Sequence, residues 1–428
     1  MLITHNHQLM RAEAGKAAAN LNGLVDVGLL LEKLLTNARR LVRAEAGTVY
    51  LVENGQLRFV TSQNDYLQRL IISCQELPFL GSNVQIDRST LAGYCAFEKT
   101  ALTVNDTNDI DPNLPYQHSK FIDNFSNYDC RTIMSMPLIS MNGDLLGVLQ
   151  IINPLDEGGR IIDFVKEDEE VLSFFAANAA MAMEKALMLR RMTLLSVRLV
   201  SGNDPSETTG HALRVSRLST ELYSHWSLKN KLPESEREYI LNILPLAAML
   251  HDVGLRYIPR EIMVKPGRLE PAERTLMESH VVAGARLFSK PKTSLDRLIL
   301  SIIIDHHERW DGRGYPGGNQ EMPVIPDVIY GTIAPPSQAV SPLRNRGKKG
   351  EEISIYGRIL AVADVYDALS SPRLYKESFD ESLAVQIMEQ ESGHHFDPQV
   401  IDSFMAIRPQ LKKIRLNYPD NEIFSELD

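Results

Sequence analysis

The stretch Asp305–Gly318, DHHERWDGRGYPGG, decides how this chain reads. It follows an apolar run, Leu295–Ile304, of helical length, and opens on two adjacent histidines, His306 and His307. It closes on a glycine-rich turn that presents Tyr315 and Pro316. Neutral imidazole is the commonest protein ligand for metals. Neighbours on a helix point about 100° apart, so this pair can face two different metals. A histidine-capped helix end followed by an ordinary turn is the alternative, and the stretch alone leaves both open.

The rest of the second half supplies candidate ligands. From Ser206 onward the pattern is helical almost throughout, and eight of the eleven histidines lie there. Glu207 and His211 stand four residues apart, on one helix face. His251-Asp252 follows the apolar run Ile240–Leu250, where a buried polar pair is costly unless partnered or bound to metal. His280 lies on the next helical segment. Asp364 is a carboxylate in the apolar helix RILAVADVYDAL. Each of these taken singly also reads as a satisfied core or surface residue.

His306, His307, Glu308, Asp311, Gly312, Gly314, Tyr315 and Pro316 spell HHExxDGxGYP, which resembles the signature of the HD-GYP phosphodiesterases. The resemblance extends over residues 200–405, through KPGRL (265–269), PRLYK (372–376) and GHHFDP (393–398). It implies a ligand set of Glu207, His211, His251, Asp252, His280, His306, His307 and Asp364. Asp252 would bridge two metals, and His251 and Asp252 would form the catalytic HD pair. Glu207 suggests a third ion, so two or three divalent metals are expected. Mixed imidazole and carboxylate ligands suit iron or manganese, without excluding zinc, nickel or cobalt. Such a pair of ions can activate water and clamp phosphoryl oxygens. The substrate implied is cyclic di-GMP, opened to pGpG and onward to GMP. Arg373 and Lys376 match the family's phosphate and guanine contacts, while Tyr315 and Pro316 would shape the pocket wall, with Tyr315 stacking on a base.

The first half alternates helices and hairpins. Val25–Val42 has helical periodicity. Thr48–Val52 and Gln56–Thr61 flank the turn Glu53-Asn54-Gly55. Leu91–Phe97 reads as a short helix. Thr132–Ser140 and Leu145–Asn153 flank Met141-Asn142-Gly143-Asp144, and a helix with an acidic first turn begins near Lys166. AEAGTVYLVENGQLRFV, RTIMSMPLISMNGDLLGVLQIIN and DFVKEDEEVLSFFAANAA resemble the pieces of a GAF domain, which implies an antiparallel sheet with helices and a small ligand or partner. Asn153, Phe164, Asp168 and Glu169 supply only part of the pattern carried by GAF domains that bind cyclic nucleotides, because Pro154 stands where a lysine would be. A strand end and a helix start are the plainer reading.

The fold class expected is therefore multidomain: an α/β GAF domain over residues 20–170, a linker helix over 171–204, and an all-α HD-GYP domain over 205–408. Ala176, Ala180, Met183, Leu187, Leu194 and Val197 follow a 4-3 spacing, which suits a coiled-coil seam and a homodimer; packing on the chain's own sheet is the alternative. Ser201-Gly202-Asn203-Asp204-Pro205 then ends the helix.

Charge and composition bound the rest. A net charge of -10 argues against DNA or general nucleic-acid binding. Cys74, Cys95 and Cys130 form no disulfide or metal framework, which fits the reducing cytoplasm. The opening Met1–Lys16 is polar, so no signal peptide is expected, and no apolar run reaches the ~18 residues of a membrane span.

Two departures from the family pattern stand out. HDVGL carries Leu255 where the family has lysine, so a cation near the phosphate is missing and activity is expected to be reduced. A catalytically weak or inactive reader of cyclic di-GMP is one alternative on that ground, and an enzyme for another cyclic dinucleotide is a separate one. The second departure is extra length at 319–346, which reads either as a binding loop or as a surface excursion.

Overall fold

The structure, a computed structural model, describes residues 2–70, 83–118, 128–201, 209–317, 347–371 and 379–418. The chain divides into two compact units, Met1–Leu189 and Arg190–Asp428.

The first unit is built on a six-stranded antiparallel sheet in the order β3-β2-β1-β6-β5-β4. Its strands are β1 (Ala44–Glu53), β2 (Gln56–Asn64), β3 (Asn83–Gln85), β4 (Leu102–Val104), β5 (Ile133–Ile139) and β6 (Leu145–Pro154). The β1–β2 hairpin closes on Asn54 and Gly55, both at positive φ (51° and 74°), as its two-residue turn requires. Helices α1 (Leu2–Leu21), α2 (Val27–Leu41), α3 (Asp65–Leu70), α4 (Leu91–Glu98) and the part of α5 (Lys166–Ser201) up to Leu189 complete it. The apolar stripe of α2 (Leu30, Leu34, Leu35) and that of α5 (Val171, Leu172, Phe175) enclose one core with Val49, Leu51, Met136 and Ile151. Alternation sends Tyr50, Leu57, Phe59 and Val148 to the opposite face, under α4.

Two features differ from the sequence reading. Helix α1 has no strong apolar periodicity, because its buried residues include the alanines Ala14 and Ala18; these are small enough to seat it against the core. Ala176, Ala180 and Met183, the first half of the expected seam, are wholly buried in this single-chain core. Small residues let α5 lie close to its own sheet, so that face is already used. The exposed apolar residues of α5 include Met181, Met188, Met192 and Leu199. Residues Lys166–Val200 are also long and apolar enough, by length and composition, to cross a membrane; half of the apolar window is buried within the protein.

The plainer reading of Asn153 holds. At φ 54° it ends β6, accepts from the N–H groups of Arg131 and Thr132 through Oδ1, and donates to the Tyr128 hydroxyl and the Asp129 carbonyl through Nδ2. All its side-chain capacity is spent on the chain itself. Phe164 is a core residue, and Asp168 accepts from the Val165 N–H at 3.0 Å, at the start of α5.

The second unit is helical among its described residues. It comprises α6 (Thr209–Lys229), α7 (Glu234–Met249), a 3₁₀ turn (Val253–Tyr257), α8 (Arg260–Met263), α9 (Pro271–Glu278), α10 (His280–Leu287), α11 (Ser294–Asp305), a second 3₁₀ turn (Gly350–Glu352), α12 (Ile355–Ser370), α13 (Glu381–Gln390), α14 (Pro398–Ala406) and α15 (Arg408–Asn417). Its core gathers Leu218, Leu222, Leu244, Ile302, Leu360 and Phe404. The 3₁₀ turn after α7 packs on α10 so tightly that a Cβ on Gly254 would lie 1.9 Å from the His280 carbonyl oxygen. That contact fixes the HD dipeptide relative to His280.

Candidate metal centre

The ends of three helices set the site. His251 follows α7, His280 follows α9 and His306 closes α11. The last carbonyls of a helix have no partner within it. Each of these imidazoles uses one: Nδ1 lies 2.9 Å from the Ala248 carbonyl in His251, 2.7 Å from that of Met277 in His280 and 2.9 Å from that of Ile303 in His306. A carbonyl only accepts, so Nδ1 carries a proton, and in the neutral imidazole Nε2 is left with the lone pair. The three Nε2 atoms then meet Asp252. His251 Nε2 is 3.2 Å from Oδ2, and those of His280 and His306 are 3.2 and 3.3 Å from Oδ1. Helix C-termini carry partial negative charge, so those of α7 and α11 beside one carboxylate favour a cation.

Asp252 belongs to two groups of converging ligand atoms: with His280, His306 and His307, and with His211 and His251. His211, inside α6, reaches Asp364 on α12, with Nε2 to Oδ1 at 3.4 Å. The structure thus brings together His211, His251, Asp252, His280, His306, His307 and Asp364. His306 and His307, read from sequence as facing two metals, fall in one group, with rings 4.0 Å apart, because the helix ends at His306 and the next residue turns. Glu207, Arg373 and Lys376 lie outside the described residues, as does 319–346.

Charge follows this geometry. Burial opposes ionisation of Asp252, but the contacts from His251, His280 and His306 outweigh it and hold the carboxyl well below its usual range. Burial, with the neighbouring imidazoles of His306 and His280, keeps His307 neutral far below its ordinary value. Asp252 and His307 are therefore deprotonated near neutrality, whereas at His280 burial lowers the pKa but the Asp252 carboxylate outweighs it and raises the imidazole above its ordinary value. His280 Nε2, His306 Nε2 and Asp252 Oδ1 are buried with no hydrogen-bond partner, a costly state for polar atoms. Nitrogen and oxygen donors with these orphaned lone pairs fit a divalent metal centre.

Sequence reasoning missed the residues around the ligands. Asp367, three residues beyond Asp364, takes the His211 Nδ1–H at 2.8 Å and is gripped by Arg214. Glu308, the E of HHE, is 2% exposed and accepts the N–H groups of Gly317 and Lys348 at 2.7 and 3.0 Å. Burial raises its pKa to about 7. Asp305 accepts from Lys348 Nζ and the Ser354 N–H. The DGRGYP loop is further docked on the GHHFDP turn, through Trp310 N–H to the His395 carbonyl and Asp311 N–H to that of His394. Tyr315 stacks on His307, with ring centroids 4.8 Å apart, and Pro316 is buried. Leu255 is buried and Arg256 is exposed.

The chain matches the HD domain family over residues 203–324 and 344–400, and the GAF domain family over residues 26–183. It carries a GAF domain followed by an HD domain. The break in the HD match falls inside 319–346, where extra length was expected. A cyclic di-GMP phosphodiesterase of Vibrio cholerae is 30% identical over 236 residues, 54% of this chain and 42% of that protein. A probable cyclic di-GMP phosphodiesterase of the same organism is 32% identical over 230 residues, 52% and 45% of the two chains. Its 3'3'-cGAMP-specific phosphodiesterase 2 is 33% identical over 215 residues, 50% and 34%. The chain spans less than half the length of each of these relatives. The histidine and aspartate cluster lies within the HD domain.

Proposed function

We propose that the HD domain is a metal-dependent phosphodiesterase that opens cyclic di-GMP to pGpG, and onward to GMP, under control of the GAF domain. The observation that carries the proposal is Asp252, a carboxylate shared by two groups of ligand atoms. The names of the relatives support a cyclic dinucleotide as substrate.

Two divalent ions, when bound, would supply Lewis acidity that lowers the pKa of water and screens phosphoryl charge. A third is proposed at Glu207, and iron or manganese fits the donor set. The chain's own residues do the rest. His211, His251 and Asp364 would hold one ion and His280, His306 and His307 the other, with Asp252 common to both groups. The helix-end carbonyls keep the Nε2 lone pairs turned inward. Arg373 and Lys376 are proposed to bind phosphate and guanine, with Tyr315 lining the pocket beside His307.

Turnover of cyclic di-GMP by protein purified without oxygen and loaded with Fe(II) or Mn(II) tests this, with metal content measured alongside. Asp252→Asn is expected to abolish turnover and lower metal content. Arg373→Ala is expected to weaken cyclic di-GMP binding while sparing metal. Unchanged metal in Asp252→Asn would refute the site. The buried Leu255 favours a second reading, a cyclic di-GMP reader; full metal and tight binding without turnover would establish it. Running 3'3'-cGAMP in the same assay decides between substrates.

For the GAF domain, a cavity of about 170 Å³ is lined by Tyr50, Phe59, Asn64, Gln117, Tyr128 and Gln150 among others, with no lysine, arginine or carboxylate among its described lining. A small uncharged ligand is proposed, and saturable binding of a cyclic nucleotide there would refute it. A homodimer through the exposed methionines of α5 is proposed, which Met188→Asp with Met192→Asp should render monomeric by light scattering. The buried thiols Cys95 and Cys130, neither in a disulfide, accord with a cytoplasmic setting.

A further inference from the structure

The ligand histidines are not all held in the same way. His251, His280 and His306 are oriented by carbonyls three residues back in their own chain segments. His211 sits inside α6, where the backbone carbonyls are occupied by the helix. Its Nδ1 turns instead to Asp367, 156 residues away, at 2.8 Å.

Asp367 is 1% exposed and is itself held by Arg214, one turn along α6 from His211. Arg214 Nε donates to Oδ1 at 2.6 Å, and Nη2 donates to Oδ2 at 3.0 Å. A two-pronged grip of this kind fixes the plane of a carboxylate as well as its position. The remaining edge of the guanidinium points away from the site: Nη1 donates to the main-chain carbonyl of Tyr418, just beyond α15, at 2.9 Å. Arg214 is therefore pinned at both edges, on one side by the residue that orients a ligand histidine and on the other by the main chain after the last described helix.

We propose that docking of the main chain at Tyr418 sets the occupancy of one metal position, through Arg214, Asp367 and His211, and leaves the other position untouched. Arg214 and Asp367 are positioning residues here. The selectivity follows from the two ligand groups. The His211, His251 and Asp252 group depends on this relay, whereas His280, His306 and His307 meet Asp252 without it. A segment or partner that lifts the chain at Tyr418 would thereby convert a two-metal centre into a one-metal centre. The inference rests on the two-metal reading of the site.

The test is titration of metal-free protein with Mn(II) in two backgrounds. His280→Ala leaves the His211 group as the stronger site, and His211→Ala leaves the other group. Stopping the chain after Arg415 removes Tyr418 and keeps the buried Leu411 and the Arg415–Glu381 ion pair. In the His280→Ala background the shortened chain is expected to bind Mn(II) about 10-fold or more weakly, the scale of losing a partner that orients a ligand. In the His211→Ala background its affinity is expected to be unchanged. Arg214→Lys in the full-length chain, which keeps the charge and loses the fork, is expected to give the same asymmetry, and stands in if the shortened chain does not fold. Equal weakening in both backgrounds, or none in the first, overturns the relay. Absence of Mn(II) binding by the unaltered chain overturns the metal reading beneath it.

Discussion

Gly254→Ala is a single methyl group placed where the HD domain has no room for it. The added Cβ would stand 1.9 Å from the His280 carbonyl oxygen and 2.7 Å from the Gly284 nitrogen. Both are backbone atoms, so no side chain can swing aside. Carbon and oxygen do not approach closer than about 3 Å, hence the 3₁₀ turn and α10 must part by about 1 Å. Asp252 lies two residues before the methyl, and His280 carries the obstructing carbonyl, so the opening falls directly on the 3.2 Å Asp252–His280 contact. Metal–ligand distances tolerate only about 0.2 Å. The variant is therefore expected to lose the metal held by His280, His306 and His307. Overpacking of this kind costs about 1–3 kcal/mol, which lowers the melting temperature by roughly 5 °C for a unit of this size. Gly284→Ala is the internal comparison. Its Cβ would meet Gly254 N and Ile303 Cγ2 at 3.2 Å, so a few tenths of an ångström suffice and most metal should remain. Metal content by mass spectrometry and melting of the metal-free protein measure both effects. A Gly254→Ala protein with full metal and an unchanged melt would refute the packing argument.

Three further outcomes are expected. Asp367 is held at a pKa of about 2: burial would raise it, but His211 and Arg214 outweigh burial. A carboxyl depressed in the folded state adds stability that is present above its unfolded pKa, near 4, and is lost as pH falls toward 2. The loss is about 2 kcal/mol, and metal-free Asp367→Asn should lack that acid slope in denaturant titrations; an identical slope would remove Asp367 as its source. Glu308→Gln keeps one acceptor where two N–H groups need one each, so the metal-free protein should lose about 1–3 kcal/mol, and an unchanged melt would show that the loop stems are held elsewhere. Leu255→Lys restores a cation to the HD motif and is expected to raise turnover about 10-fold or more; equal turnover at equal metal content would show that substrate is gripped without it.

The legible parts of this chain were those with local signals. Asn54-Gly55 gave its hairpin because few residues accept positive φ in succession, and the apolar periodicity of Val27–Leu41 marked α2. Seven of the eight expected ligands lie in described segments, and the fold brings those seven to one place. What sequence could not give was partnership across distance. Nothing near Asp367 says that a histidine 156 residues earlier will find it, and Glu308 is silent until Lys348 comes back beside Gly317. The α5 pattern was ambiguous for a different reason: a 4-3 pattern of small residues describes a helix meeting any flat apolar surface, and for Ala176, Ala180 and Met183 that surface is the chain's own sheet.

The use of helix-end carbonyls to aim His251, His280 and His306 ties coordination to helix phase. One residue added within α7, α9 or α11 would rotate the terminal imidazole by about 100° and advance it by about 1.5 Å, turning its lone pair out of the centre while leaving the helix itself intact. Substitutions along these helices can thus drift as packing allows, but their lengths are quantised. The metal centre is in that sense counted out in residues, with each helix acting as a ruler whose last mark is a ligand.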